Sequence, residues 1–268
     1  MSDNLIAVII GVVQGLTEFL PVSSTGHMIL VGSLLGYEGE SATVFEVFIQ
    51  LGSMLAVFIL YREKFIRMLN PSNVFGPGLT IRHILAGIVP VMAVGYLMHE
   101  LIKTYLFSTG TVIIGLFLGA LLLLVAEKFG KRFSGKEQVN DVENISIKQA
   151  FYVGLFQILS LWPGFSRSGS TISGGMFFGL TRKAAAEFSF IIAVPVMLIA
   201  CTYDMIKNFD KLTGNDLTMI SIGFVVAFVI AYISIVWFMR FLNKSTLASF
   251  AYYRIILSAI AYYYFFIK

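Results

Sequence analysis

GVVQGLTEFLPVSSTGH (Gly11–His27) and GLFQILSLWPGFSRSGS (Gly154–Ser170) are two copies of one segment, 143 residues apart. Gly11, Gln14, Leu16, Ser23 and Gly26 fall on Gly154, Gln157, Leu159, Ser166 and Gly169. Thr17 falls on Ser160, Phe19 on Trp162, Thr25 on Ser168 and Ser24 on Arg167. Each copy is an apolar arm that runs into a proline and a hydroxyl-rich break. Two apolar hairpins with polar tips predict one composite site, built where a duplicated membrane protein folds against itself.

The rest of the chain sets the solvent in which those hairpins lie. Its 268 residues are 57% hydrophobic and 13% charged, with a mean hydropathy of +0.85. A soluble domain carries about 25% charged residues, so the chain reads as an integral membrane protein. The apolar runs are long and lack the alternation of an outer-membrane barrel, which makes the expected class all-α. Cys201 is the single cysteine, so no internal disulfide forms. The start, Met-Ser-Asp-Asn, has neither the basic region nor the cleavage site of a signal peptide. The net charge of +4 reads as a topology signal, with no nucleic-acid partner.

Crossing a core of about 30 Å takes about 20 apolar residues. Six stretches qualify, at 43–61, 82–98, 110–126, 184–206, 216–239 and 247–267. Two regions do not, 5–35 and 149–179, where each arm is too short to span and a polar break separates it from its mate. Both read as re-entrant helix–loop–helix hairpins, tolerated at membrane depth only when protein or water surrounds them. One hairpin and three spans per half make the second half inverted relative to the first. The expected divisions are a first repeat over 1–127, a plain charged connector over 128–148, and a second repeat over 149–268. Phe45-Glu46 and Ala186-Glu187 are expected to open the spans that follow the hairpins, their glutamates capping helix N-termini. Thirteen Lys and Arg residues fall on one side of this arrangement. Lys103, Lys207, Lys211 and Lys268 fall on the other. The crowded side is expected to be cytoplasmic and both termini outside.

Ionisable groups inside a membrane cost at least about 2.5–3.5 kcal/mol each on insertion scales, which marks them as functional candidates. The first hairpin holds Glu18 and His27, with Gln14 one helical turn before Glu18. Ser23, Ser24 and Thr25 form its tip. The second hairpin holds Arg167 among Ser166, Ser168, Ser170 and Thr171. Two half-helix N-termini, hydroxyls and an arginine together suit a phosphate or pyrophosphate. His27 has three available roles: nucleophile, general base for Ser24, or acid toward a leaving group. Glu18 has two: orienting His27 and holding a divalent cation. Each feature also has a structural reading. Hydroxyl clusters pack membrane helices, Glu46 serves as a cap or a site residue, and Gln50 packs. Arg254 with Tyr252 and Tyr253 reads as an inter-helix contact rather than catalytic.

At these residues the chain resembles the BacA-type undecaprenyl-pyrophosphate phosphatases. The matching stretches are QGLTEFLPVSSTGH at 14–27, WPGFSRSGSTISGG at 162–175, FEVFIQLGS at 45–53 and EFSFIIAVP at 187–195. The resemblance implies removal of the terminal phosphate from undecaprenyl diphosphate, giving the monophosphate carrier of cell-wall synthesis, with bacitracin resistance as the linked phenotype. It implies a bacterial inner-membrane location, an inverted repeat and a divalent cation, Mg²⁺ or Ca²⁺. The family's E/Q-x-x-x-E motif falls on Gln14 and Glu18, the metal candidates. Its Ser-Ser-Thr-Gly-His tip falls on Ser23 to His27, with His27, Ser24 and Glu18 as catalytic candidates. Its phosphate-binding arginine falls on Arg167, beside Ser166, Ser168 and Thr171, with Ser23 and Thr25 across from them. Gln14 brings no charge, so Glu18 carries more of any metal site. The other membrane lipid phosphatase pattern needs a histidine after Ser166-Arg167, and His99 is the last in the chain. The alternative is a transporter or flippase for an anion or a polyprenyl phosphate, using the same midplane site. Expected partners are the polyprenyl diphosphate and membrane lipids. A homodimer is an assembly the sequence leaves open.

Overall fold

A computed structural model describes the backbone of residues 2–134, 138–208 and 214–267, and the side chains of all of these but 40, 41, 103, 131–134, 205, 207, 208 and 214–216. Part of the 128–148 connector therefore lies outside the described residues. So do the side chains of Lys103, Lys131, Arg132, Lys136, Lys207, Lys211 and Lys268 from the charge asymmetry.

Twelve α-helices and no strand form among the described residues. In chain order they are α1 (Asp3–Thr17), α2 (Ser24–Leu35), α3 (Glu40–Leu60), α4 (Arg62–Leu69), α5 (Ile81–Leu97) and α6 (His99–Leu106). They continue with α7 (Thr109–Ser134), α8 (Ile147–Gln157), α9 (Arg167–Phe177), α10 (Arg182–Asn208), α11 (Gly214–Phe241) and α12 (Ala248–Phe266). Four helices are long and apolar enough to cross a membrane, over Ala42–Leu60, Thr109–Gly130, Arg182–Asp204 and Leu217–Phe241. The chain is a multi-pass membrane protein. The stretch expected at 82–98 is the 17-residue α5, bent by 75° into α6. The stretch expected at 247–267 is α12, which at 19 residues has the length, but five tyrosines and Arg254 dilute its apolar character.

α1, α2, α8 and α9 have 15, 12, 11 and 11 residues. At 1.5 Å per residue the longest is roughly 22 Å, short of a roughly 30 Å hydrocarbon core. Each pair packs arm to arm, α1 on α2 and α8 on α9. Exchanging the halves of the chain conserves several contacts. α1 lies along α11, and its counterpart α8 lies along α5. α3 meets its counterpart α10, and α7 meets its counterpart α12. Small residues make these approaches possible. A Cβ on Gly11 or Gly15 would sit 2.9 or 2.8 Å from the Gly223 or Ala227 carbonyl oxygen of α11, and one on Gly154 would sit 2.6 Å from the Gly87 oxygen of α5.

Other contacts are not conserved: α11 packs along α3 far more closely than α5 along α10, and α9 lies along α10 while α2 has no comparable seam with α3. α9 packs closely along α7, whereas α2 has no comparable seam with α12. Gly115 and Gly119 of α7 make the difference, because a Cβ there would strike the Pro163 and Phe165 carbonyls of the second tip.

Two expectations are corrected. α3 and α10 begin at Glu40 and Arg182, five or six residues before Glu46 and Glu187. Both glutamates therefore stand past the first turn, and neither caps a helix; Glu187 instead meets Lys64 at 3.4 Å. The connector is also more than a charged tether. Val139 pairs with the chain at 179–181. Glu143 accepts from Lys64 at 2.7 Å, from Arg67 and from the Leu79 N–H. Burial pushes the Glu143 carboxyl up, but those donors outweigh it and hold the group down at about 2. Arg182 and the Leu247 N–H converge on Glu127 nearby in sequence, with the Arg182 pair at 2.6 Å.

Candidate active site

The first tip is shaped by Pro21 and by Ser23, which adopts φ 71° and ψ 94°. A side chain at positive φ is strained by Cβ contacts. Ser23 offsets part of that cost by accepting the Gly26 N–H at 3.3 Å as the N-cap of α2. The second tip repeats the device at the matching position. Ser166 has φ 74° and caps α9 through the Gly169 N–H at 3.1 Å. Ser23 and Ser166 are the two non-glycine residues with positive φ among the described residues.

The tips touch. Ser168 of the second donates to the Leu20 carbonyl of the first at 2.9 Å. Arg254 of α12 fastens them from behind. It is fully buried and donates to the Pro21 carbonyl of the first tip and to the Gly164 and Phe165 carbonyls of the second, the last at 2.9 Å. It also reaches the Gly115 carbonyl of α7 at 3.4 Å. Backbone oxygens, rather than a carboxylate, receive this guanidinium among the described contacts.

In front of that clasp lies the charged pair. Arg167 Nη2 meets Glu18 Oε1 at 2.9 Å, with the two side chains only 12% and 6% exposed. Arg167 also donates to the Ser189 carbonyl at 3.3 Å, and its guanidinium lies 5.7 Å from the Phe19 ring centre. The second Glu18 oxygen accepts from Ser24 Oγ at 2.7 Å and from Gln14 Nε2 at 3.1 Å. Gln14 Oε1 is buried without a partner. Thr171 closes the rear, bonded to the Arg167 carbonyl and to Ser189 Oγ at 2.8 and 2.6 Å. Ser166 Oγ and Ser168 Oγ are 3.2 Å apart. Each sequence copy supplies one charge. The counterpart of Glu18 is Leu161, and that of Arg167 is Ser24.

His27 faces elsewhere. Its Nδ1 lies 2.8 Å from the Ser23 carbonyl, and its Nε2 lies 2.7 Å from the Tyr253 hydroxyl of α12. A carbonyl only accepts, so in the neutral ring Nδ1 carries the proton and Nε2 accepts from Tyr253. The two rings stack at 5.6 Å and 11°. Thr25 is exposed and Glu46 half-buried, and no described hydrogen bond joins either to the cluster. Tyr253 and Ser189 are the members that sequence reasoning did not select. No motif announces Tyr253; only its place beside Arg254, one residue along α12, puts it there.

A cavity of about 560 Å³ opens beside His27, in the gap between α2 and α12. Val13 and Leu16 of α1, Val31 of α2, Ile230 and Trp237 of α11, and Phe250 of α12 line it, and His27 and Tyr253 form its polar end.

Residues 7–260 match the family described as bacitracin resistance protein BacA. The chain belongs to the BacA family. It is 45% identical over 260 residues to undecaprenyl-diphosphatase 1 of Bacillus thuringiensis (strain Al Hakam), covering 96% of this chain and 97% of the relative. It is 44% identical over the same length to the proteins of that name from Bacillus thuringiensis subsp. konkukian and Bacillus anthracis, with the same shares covered. In this BacA chain the stretches 14–27 and 162–175 build the Glu18–Arg167 pair.

Proposed function

We propose that the protein is an undecaprenyl-diphosphatase, an enzyme that hydrolyses the terminal phosphate of undecaprenyl diphosphate and releases undecaprenyl phosphate. The names of its relatives supply the substrate. The Glu18–Arg167 pair, 2.9 Å long and set between two helix–break–helix tips, is the observation that carries the reading, with an apolar cavity opening beside His27 of the first tip. The transporter alternative is not favoured, since the relatives are named for the chemistry.

The diphosphate binds at the tips. Arg167 and the first turns of α2 and α9 neutralise the phosphoryl oxygens, with Ser23, Thr25, Ser166, Ser168 and Thr171 around them. Ser24 has its hydroxyl proton directed at Glu18, the arrangement of a hydroxyl activated by a base. His27 stands on the cavity side, where the prenyl phosphate departs; its Nε2, once released from Tyr253 and protonated from water, donates to the leaving oxygen. Ser24 Oγ bonds to the terminal phosphorus as the anhydride P–O bond breaks, its proton passing to Glu18 and the leaving oxygen taking its proton from His27; water then attacks that phosphorus, the Oγ–P bond breaks, and inorganic phosphate leaves as Ser24 regains its proton. Glu46 is kept as an outlying candidate.

The residues fit a divalent cation shared with substrate. Gln14 Oε1 is a buried acceptor without a partner, next to the Glu18 carboxylate. No group of three His, Cys, Asp or Glu able to hold a metal occurs among the described residues. Magnesium is commonly held by one or two carboxylates plus substrate phosphates, so Glu18 and Gln14 would supply the protein share of an Mg²⁺ or Ca²⁺ shell. When bound there, the cation would supply neutralisation of phosphoryl charge.

The prenyl chain lies in the cavity between α2 and α12. The exchanged contacts of α1 with α11 and α8 with α5 support an inverted repeat, with α1–α2 and α8–α9 as re-entrant hairpins and α3, α5, α7, α10, α11 and α12 as spans. The repeats cover 1–127 and 149–268. Both termini lie outside and the docked connector faces the cytoplasm of a bacterial inner membrane. A homodimer is compatible with this arrangement.

Purified protein given undecaprenyl diphosphate and Mg²⁺ should release inorganic phosphate, and Glu18→Gln should abolish the release. A protein that releases none with any divalent cation overturns the proposal.

A further inference from the structure

The polar end of the apolar cavity contains an arrangement that catalysis alone does not require. His27 has one nitrogen with a lone pair to use, because Nδ1 is committed to the Ser23 carbonyl. That remaining nitrogen is covered by the Tyr253 hydroxyl at 2.7 Å. While the hydroxyl donates to Nε2, the ring has neither a free lone pair nor a proton there to deliver. Tyr253 comes from α12, across the gap from α2, and its ring is part of the cavity wall. The same ring stacks with the imidazole. Whatever fills the cavity therefore presses on the group that occupies His27.

We infer that Tyr253 is a specificity-determining residue, a latch on His27 that the prenyl chain of the substrate displaces. A chain long enough to fill the space beside Val31 and Trp237 moves the Tyr253 ring and frees the Nε2 lone pair, which then takes a proton from water and passes it to the leaving oxygen. A diphosphate with a short chain reaches Arg167 but leaves the latch closed. The latch converts tail length into use of His27, and so separates the lipid substrate from small phosphates at a site whose charged part would hold both. The inference rests on the diphosphatase reading above and on the cavity as the seat of the tail.

Removing the hydroxyl should narrow the discrimination. The ratio of kcat/KM for undecaprenyl diphosphate to that for farnesyl diphosphate should fall roughly five-fold in Tyr253→Phe, the equivalent of one neutral hydrogen bond. The change should sit in kcat for the farnesyl substrate rather than in its KM. An unchanged ratio overturns the latch, and so does an equal loss on both substrates, which would make the hydroxyl a simple support for the ring. A second measurement needs no variant. In the native protein, a long-chain prenol without a head group should stimulate hydrolysis of isopentenyl diphosphate several-fold; pure inhibition overturns the latch. If the native protein releases no phosphate from undecaprenyl diphosphate, it is the diphosphatase reading that has failed.

Discussion

Ser23 and Ser166, 143 residues apart, hold the same left-handed backbone and make the same bond, each accepting the N–H three residues on. Strain and cap act in opposite directions at both. The substitution therefore decides the sign. Ser166→Ala keeps the strained φ and loses the cap, and should lower stability by about 1 kcal/mol. Ser166→Gly loses the cap but relieves the strain, and should fall within about 0.5 kcal/mol of the parent. Thermal unfolding in detergent distinguishes the two.

The pairing of Glu18 with Arg167 is nearly buried, so removing one partner strands the other. Arg167→Met should cost about 3 kcal/mol of stability. The double variant Glu18→Gln, Arg167→Met should recover much of that loss while staying inactive. Phosphate release should fall at least about 10³-fold in each, the scale of a lost phosphoryl-stabilising arginine. A double-variant cycle of unfolding and turnover separates the two effects.

Arg254 touches the backbone of both tips, and its contribution is alignment. Arg254→Met leaves the carbonyls of Pro21, Gly164 and Phe165 without their donor and should cost about 3 kcal/mol. Turnover should fall through kcat, because the tips that carry Glu18 and Arg167 lose their common clasp. Arg254→Lys, which cannot fork to several carbonyls, should recover little.

The cavity gives a steric test. Val31→Phe adds bulk beside His27 in a space of about 560 Å³. It should raise KM for undecaprenyl diphosphate several-fold with a smaller effect on a short-chain diphosphate. A rise of equal size for both would place the chain elsewhere.

Acid should loosen the connector first. Glu143 is held at about 2 in the folded protein, against an ordinary value of 4.5. A depressed carboxyl contributes stability above its unfolded value and loses it as the pH falls through the folded one. The contribution is thus complete above about pH 4.5 and gone below about pH 2. Melting temperature should drop across that window, and Glu143→Gln should flatten the drop while lowering stability at neutral pH.

The two helix–break–helix segments and the meeting of Glu18 with Arg167 were legible because a buried glutamate and arginine stand out against apolar sequence, and because the segment is written twice. The long apolar helices were legible for the same reason. Arg254 was legible as an inter-helix contact, but not as the clasp of both tips, and the reach of Tyr253 to His27 was not legible at all. Their surroundings are apolar and aromatic, and their partners lie 89 and 226 residues away along the chain. Nothing in the local pattern tells which helix closes behind the tips. Ser24 shows a subtler limit. Its neighbours in sequence include His27 as well as Glu18, and only the turn at Pro21 and Ser23 sends its hydroxyl to the carboxylate. The α12 stretch was expected to span on length, yet its arginine and tyrosines turn one part toward the protein.

Where one copy carries Glu18 the other carries Leu161, and where one carries Arg167 the other carries Ser24. A dimer of first halves would face two carboxylates toward each other, and a dimer of second halves two guanidiniums. The two segments are therefore not interchangeable: only the meeting of unlike tips in one chain brings an acid and a base together.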